Sequence, residues 1–306
     1  MDTRTAHSAA ELAGLGMLEA TGDDARTFLH AQLTNDVVGM PPGRARYAGW
    51  CSAKGRLLAS FLVVPHGGGF LLQLARDLAP SVAKRLAMFV LRAKVKVSEA
   101  SDAWAQFGLW GAGSEERLAA LGLAASQSEL GVSEAQDALA VRIGAGRYLV
   151  AVPAARRASV LALLDGSTEQ AWAVEEIRAG RALVTLATQD QFVPQMLDYQ
   201  LLGAIDFKKG CYPGQEIVAR TQYRGQLKRR LVRARVAAPA RPGQDVHAAD
   251  LPGQAAGTVV NAAEGSEGAS ELLAVVPVAS LEQHAELRLG SPEGPRLEIL
   301  ALPAAS

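Results

Sequence analysis

The 306-residue sequence predicts an α+β protein with a ferredoxin-like unit in its middle and a small β-barrel at its C-terminal end. Two observations carry this. Between about residues 104 and 164 the pattern runs strand, helix, two strands, helix, the signature of a split βαβ sandwich. From Leu227 onward the texture changes to short alternating stretches separated by turn-forming residues, as in a small barrel or sandwich.

The elements are read in order. Leu15–Ala20 is a short strand. Residues 23–35 place Ala25, Phe28, Leu29 and Leu33 at helical spacing, with Thr21 or Asp23 as N-cap. Arg56–Val64 and Phe70–Leu74 flank His66-Gly67-Gly68-Gly69 as a hairpin. Ser81–Leu91 is an amphipathic helix, and Lys94–Ser98 alternates as a strand. In the middle unit, Ala105–Trp110 is a strand, Ser114–Leu121 a helix, Ala138–Ile143 and Arg147–Val152 a hairpin, and Ala154–Leu164 a helix. The Gly111-Ala112-Gly113 between the first two lacks the third glycine of a dinucleotide loop and reads as a plain βα turn. A helix over Glu169–Arg181 follows. Leu231–Val236, Gly257–Asn261, Leu272–Val276, Ala285–Leu289 and Leu297–Leu302 are the barrel strands, with residues 262–270 as a loose loop.

Composition bounds the function. Apolar residues make up 49% and charged residues 20%, an ordinary globular balance. Lys+Arg and Asp+Glu both total 31, so global charge gives no reason to expect a nucleic-acid or membrane partner. No apolar run approaches the roughly 18 residues of a membrane-spanning helix, and residues 1–14 lack a signal-peptide pattern. Cys51 and Cys211 are the only cysteines and suggest no disulfide framework, so a reducing, cytoplasmic setting is expected. The five histidines are scattered, with no CxxC or HExxH, and no metal site is expected.

The segment Lys208–Arg220, KKGCYPGQEIVAR, concentrates the chemistry. Cys211 follows two lysines, and Pro213 suits the first turn of a helix through Glu216–Arg220. Ammonium groups and a helix N-terminus both favour a thiolate; a lone cysteine packed as a small hydrophobe is the plain alternative. Gly210 and Gly214 mark either unusual backbone dihedrals, close approach by a ligand, or a simple turn. From Lys208 to Arg235 nine Lys/Arg stand against one acid, Glu216. That excess suits an anion or is a solvated face. Glu216 either caps the helix dipole or accepts paired hydrogen bonds from a pterin-like edge.

KGCYPGQEIVAR resembles the KGCYxGQExxAR signature of the YgfZ-type folate-binding family, relatives of the glycine-cleavage T-protein. Thr21-Gly22-Asp23-Asp24-Ala25 through Gln32-Leu33-Thr34-Asn35-Asp36-Val37 is similar to the family's opening motif, and Cys51–Arg56 (CSAKGR) to its strand entry. Trp172–Gly180 and Phe192-Val193-Pro194-Gln195-Met196 precede the signature as in the family. The resemblance implies a three-domain T-protein-like cloverleaf: residues 1–100 with 170–226 as a split folate-binding domain, 101–169 as the ferredoxin-like domain, 227–306 as the β-barrel. It implies tetrahydrofolate, or a one-carbon derivative, as the small molecule. It implies a role in assembly or repair of iron–sulfur enzymes, including tRNA-modifying ones, with those proteins as partners and no direct nucleic-acid partner. By the same resemblance Cys211, Lys209 and Asp36 are the reactive group. Trp172, Arg178, Lys208, Gly210, Tyr212, Gly214, Gln215, Glu216 and Arg220 would bind folate. Lys208 and Lys209 would keep the thiol ionised. The chain departs from the pattern at Leu15, where the family has a second tryptophan. It also has Gly146-Arg147-Tyr148-Leu149 where the T-protein has its GYTGE-type segment. The missing GYTGE-type segment, with a Lys-Gly-Cys thiol that the T-protein's aminomethyl transfer does not need, favours the YgfZ branch over a genuine aminomethyltransferase, and zero net charge without an aromatic-rich basic surface counts against a non-catalytic RNA- or protein-binding module. Whether the chain completes a one-carbon transfer is left open.

Overall fold

A computed structural model describes residues 8–302 apart from 165, 266 and 267. His7 and half of the N-terminal stretch read for a signal peptide lie outside the described residues, as do two residues of the expected 262–270 loop. The chain opens with β1 (Ser8–Glu11), β2 (Leu15–Thr21), α1 (Ala25–Gln32), β3 (Arg46–Cys51), β4 (Leu57–His66), β5 (Gly69–Ala75), α2 (Ala79–Ala87) and β6 (Lys96–Glu99). Then come β7 (Trp104–Trp110), α3 (Ser114–Ala120), β8 (Val132–Ala135), β9 (Ala138–Gly144), β10 (Arg147–Pro153), α4 (Arg157–Leu161), α5 (Glu169–Arg178) and α6 (Gln215–Arg224). The last stretch holds β11 (Arg229–Val236), β12 (Asp245–Ala248), β13 (Gly257–Glu264), β14 (Ser270–Pro277), α7 (Val278–Glu282), β15 (Leu287–Leu289) and β16 (Glu298–Leu300). The fold is α+β as expected. Two compact units divide it: residues 1–30, 36–47 and 61–169, and residues 31–35, 48–60 and 170–306.

In the first unit one sheet has the order β1-β7-β10-β9-β8. Strand, helix, hairpin and helix occur where the periodicity put them. A split βαβ unit needs one more strand beside the first. That place is taken by β1, antiparallel to β7 with Ser8 opposite Trp110 and Glu11 opposite Phe107. Ser-Ala-Ala-Glu carries no β-branched residue and no alternation, so only the partner strand makes it a strand. Phe107, Leu109, Leu118, Tyr148, Val150 and Val160 form the buried core under this sheet.

The second sheet has the order β3-β4-β5-β2-β6. The β4–β5 hairpin closes at His66 opposite Gly69, leaving Gly67 and Gly68 as its turn, with φ 55° and 77°. Two successive left-handed residues are what a two-residue hairpin turn demands, and glycine supplies them without steric cost. The helix expected over Ser81–Leu91 instead spans Ala79–Ala87, with Pro80 in its first turn and single turns continuing to Ala93. Likewise the final helix of the middle unit is a 3₁₀ turn, Ala154–Arg156, followed by α4.

In the second unit a six-stranded antiparallel sheet has the order β15-β12-β13-β14-β11-β16. It curls into a half-barrel around Val232, Val246, Val259, Leu272, Val276 and Leu287. The segment 295–300 reaches both β15 and β11. Leu289 N donates to Pro295 O and Leu297 N to Leu287 O, while β16 pairs with β11. Strand β12 has no counterpart in the sequence reading, being four residues of Asp-Val-His-Ala. No helix among the described residues is long and apolar enough to cross a membrane.

Phe107 is fully buried beneath β7. Phe107→Ala should cost about 3–5 kcal/mol of unfolding free energy, read as a lowered urea midpoint at unchanged slope.

Candidate functional site

The segment after Ala204 is held by hydrogen bonds made far away in sequence. Thr34 Oγ1 donates to Ala204 O at 2.7 Å and accepts from Gly49 N at 2.7 Å. Asn35 Nδ2 donates to Gly203 O at 2.7 Å, and Asp206 N to Thr34 O at 3.0 Å. These bonds end the first helix earlier than its apolar spacing suggested. Side chains of Thr and Asn that bind backbone elsewhere compete with helix continuation, and Leu33 pairs with Trp50 instead. Asp206 Oδ1 then accepts from Lys208 N and Lys209 N, which turns the chain into the signature.

Lys209 is 9% exposed. Its ammonium donates to Leu33 O at 3.0 Å and Gly210 O at 3.2 Å and lies 4.7 Å from the centroid of the Tyr212 ring. A buried cation needs such partners, and carbonyl oxygens with an aromatic face supply them. Burial, with the nearby Cys51, pushes the Tyr212 phenol above its ordinary range.

Tyr212-Pro213-Gly214-Gln215 form a turn closed by Gln215 N donating to Tyr212 O at 3.2 Å. Proline at its second position and Gly214 at φ 78°, ψ 3° are the type II pattern. Pro213 therefore shapes the turn before α6 rather than the helix's first turn. A β-carbon on Gly214 would collide with Ser52 O and stand 2.7 Å from Gly55 Cα. Gly55, at φ 70°, faces Ile217 in return. The CSAKGR loop and the signature thus meet glycine against glycine. Ser52 Oγ, donating to Asp190 Oδ1 at 2.7 Å, ties the first of them down.

On this base α6 buries Val218 and turns Glu216, Ile217 and Arg220 outward. Lys208, Gly210 and Cys211 are exposed as well, and Gln215 is half-buried. The two cysteines have opposite settings. Cys51 is buried, and desolvation, reinforced by the charge of Asp190, pushes its thiol up to about 12. Cys211 is a free cysteine at the surface.

The remaining expected residues take varied places. Trp172 is 4% exposed on α5, with Val174 and Ile177. Arg178, at the end of α5, donates to Glu271 through Nε at 3.1 Å and Nη2 at 2.6 Å, and to Glu175 at 3.1 Å. It anchors α5 to β14. Asp36 lies in the first unit. Its Oδ1 accepts from Gly39 N at 2.8 Å and lies 3.0 Å from His30 Nδ1. The Gly39 hydrogen bond, with Arg46 and His30 nearby, holds its carboxyl below the usual 3.8 against a partial opposing effect of burial. The ionised form thus favours folding at neutral pH, an advantage lost as pH falls through the lowered value. The sequence reading did not single out Gln195. It is 3% exposed, donates through Nε2 to Val218 O at 2.7 Å, and leaves Oε1 buried without a hydrogen-bond partner among the described residues. Its signal lies in packing, not in residue type.

Two outcomes follow from this geometry. Gly214→Ala should destabilise the chain by about 1–3 kcal/mol, measured as a lower melting temperature. Iodoacetamide at mildly alkaline pH should label Cys211 in the folded chain, with Cys51 reacting only after denaturation, as peptide mass mapping would show.

Comparison with known proteins gives these features a family. Residues 1–135 match the family model described as the GCVT N-terminal domain. The tRNA-modifying protein YgfZ of Vibrio vulnificus (strain YJ016) is 32% identical over 225 residues, covering 72% of this chain and 68% of that protein. The protein of the same name from Sodalis glossinidius (strain morsitans) is 31% identical over 221 residues, covering 70% and 67%. Among solved structures, the glycine cleavage system aminomethyltransferase T from Bartonella henselae superposes with a TM-score of 0.78 at 19% identity, over 98% of this chain and 87% of that one. That likeness shows a T-protein-like fold, and the YgfZ relatives, sharing about a third of their residues over two thirds of their length, show that the chain belongs to the YgfZ family.

Proposed function

We propose that the chain binds tetrahydrofolate or a one-carbon derivative and supports the assembly or repair of iron–sulfur enzymes, including enzymes that modify tRNA, with Cys211 as the working thiol. The observation that carries this is the placement of Cys211. It is an exposed thiol on a loop anchored on both sides, by Lys209 before it and by the Gly214 turn after it. A loop so fixed presents a side chain without ordering cost at the moment of reaction.

The residues of the second unit fit a folate by their chemistry. A pterin edge presents N–H donors, and the exposed Glu216 carboxylate is an acceptor. Lys208 and Arg220, both exposed cations, suit the carboxylates of the glutamate tail. Lys209 serves this site through its grip on Leu33 and Gly210. Tyr212, Gly210, Gly214 and Gln215 shape the loop, and Arg178 fixes α5, which carries Trp172. The parts of Trp172 in stacking and of Asp36 in polarising the folate rest on the resemblance alone. The names of the relatives support the tRNA-modification side of the reading, and the T-protein-like fold supports the folate side.

Calorimetric titration of the full chain with tetrahydrofolate is the test. Saturable binding that is weakened in Glu216→Gln and retained in Cys211→Ser is expected, together with failure of Cys211→Ser to restore a tRNA modification made by an iron–sulfur enzyme in cells lacking their own YgfZ. Absence of any binding by the native chain overturns the folate reading. Turnover of an aminomethyl-lipoyl carrier would instead make the chain an aminomethyltransferase.

A further inference from the structure

Helix α6 opens with the signature and closes on a feature that the folate reading leaves unused. Tyr223, in its last turn, is 69% exposed. Its ring meets that of Phe207 edge to face, with centroids 6.1 Å apart and planes at 69°. Phe207 is half-buried, so the exposed ring stands against a fixed neighbour. The two residues lie on either side of the signature loop and share a surface only through the fold.

The charge around this ring is mostly of one sign. From Ile217 to Gln244 there are eight Lys/Arg and no acid. Arg220 precedes Tyr223 by three residues and so shares its side of α6, and residues 225–227 are all that separate α6 from Lys228 and Arg229. Arg220, Lys228 and Arg229 are exposed, as is Lys208 beside Phe207, and among the described residues none of the four forms an ion pair. The acids in reach are few and mostly occupied. Asp206 accepts from the backbone N–H groups of Lys208 and Lys209. The charge of Arg230 acts on Asp198, and Arg235 lies opposite Glu271 and Glu298, so neither arginine counts toward the surface. Glu282, at the far end of α7, forms no ion pair with Lys228. Glu216 is exposed, but two turns before Tyr223 it lies about 10 Å away along the helix axis.

We propose that the end of α6, Tyr223 with Arg220, Lys228 and Arg229, docks an unpaired stretch of RNA. One base stacks on the Tyr223 ring, and the neighbouring phosphates lie on the cations. A ring and a guanidinium within one helical turn of each other match a base and its own phosphate. The bases of a duplex are stacked on one another and offer no free face to a single ring, so the strand is unpaired. An acidic protein segment would meet the cations but leave the face of Tyr223 unused. The zero net charge of the whole chain does not oppose this, because attraction between exposed charges acts over about 10 Å at ordinary salt. Lys208 and Arg220 border this surface and the folate residues alike, whereas Tyr223, Lys228 and Arg229 belong to it alone. The choice of RNA over DNA rests on the tRNA-modification side of the function proposed above.

Fluorescence anisotropy of a labelled oligouridylate titrated with the full chain tests it. The native chain should bind, and the logarithm of its affinity should fall with the logarithm of salt concentration at a slope of about −2, for three cations at about −0.7 each. Tyr223→Ala should weaken binding roughly tenfold or more, and Tyr223→Phe should restore it, since stacking needs the ring and not the hydroxyl. Lys228→Gln with Arg229→Gln should weaken binding and reduce the slope to about −0.7. All three variants change exposed side chains, so their melting temperatures and their tetrahydrofolate titrations should match those of the native chain. RNA binding by a native chain that takes up no tetrahydrofolate would leave this surface standing while the folate reading falls. Absence of oligouridylate binding at low salt overturns the proposal, and so does undiminished binding by Tyr223→Ala. Equal or tighter binding of the matching DNA strand or of duplex RNA overturns it as well. Displacement of the RNA by polyaspartate, with affinity for polyaspartate that ignores Tyr223→Ala and exceeds that for RNA, assigns the surface to an acidic protein segment and overturns it equally.

Discussion

The ammonium of Lys209, 9% exposed, donates to Leu33 O and Gly210 O and rests over the ring of Tyr212. A charge in that position is costly unless its donors are used, so the carbonyl of Leu33 and the loop carrying Cys211 are held to one arrangement. Thr34, Asn35 and Asp206 add neutral bonds around it. The candidate site depends on this stitching. Without it Gly210 and Cys211 would belong to a free loop, and the exposed thiol would have no defined direction.

The second constraint is steric. Gly214 and Gly55 each stand where a side chain would strike the other's loop, and both have left-handed backbones. Their contact sets the start of α6 and hence the outward direction of Glu216 and Arg220. It also gives Cys51 and Cys211 their different characters. The strand entering the CSAKGR loop buries its thiol beside Asp190, while the turn beyond Gly210 leaves the other thiol in water. Two residues of one type thus acquire different settings, one buried beside Asp190 and one exposed.

Interactions that the sequence reading assigned to a ligand prove to have internal partners as well. Arg178 grips Glu271 and Glu175, and Gly214 meets Ser52 and Gly55. Fixing the frame and holding a ligand are compatible roles. A site built on helices and turns whose own polar groups are satisfied keeps its geometry before the ligand arrives. Gln195 is the exception, its amide oxygen without a hydrogen-bond partner among the described residues.

Local pattern was enough for the elements whose stability is local. The βα and hairpin pattern of residues 104–153 was legible from alternation and paired glycines, as were α5 and most C-terminal strands, because side-chain period and turn chemistry act over neighbouring positions. The signature KGCYPGQEIVAR likewise carried the family in its own letters, whereas Pro213, read for the first turn of the helix, proved to shape a type II turn before it. Tertiary structure decided what depends on distant partners. Ser8–Glu11 and Asp245–Ala248 become strands only through the edges they pair with. The first helix ends before Leu33 because Thr34 and Asn35 bind backbone some 170 residues away in the chain, by separations of 170 and 168. The lysine beside Cys211 turns inward to a carbonyl of that same distant segment, a choice that no spacing within the signature encodes, since both the acceptor and the shelter of Tyr212 exist only after the chain has folded.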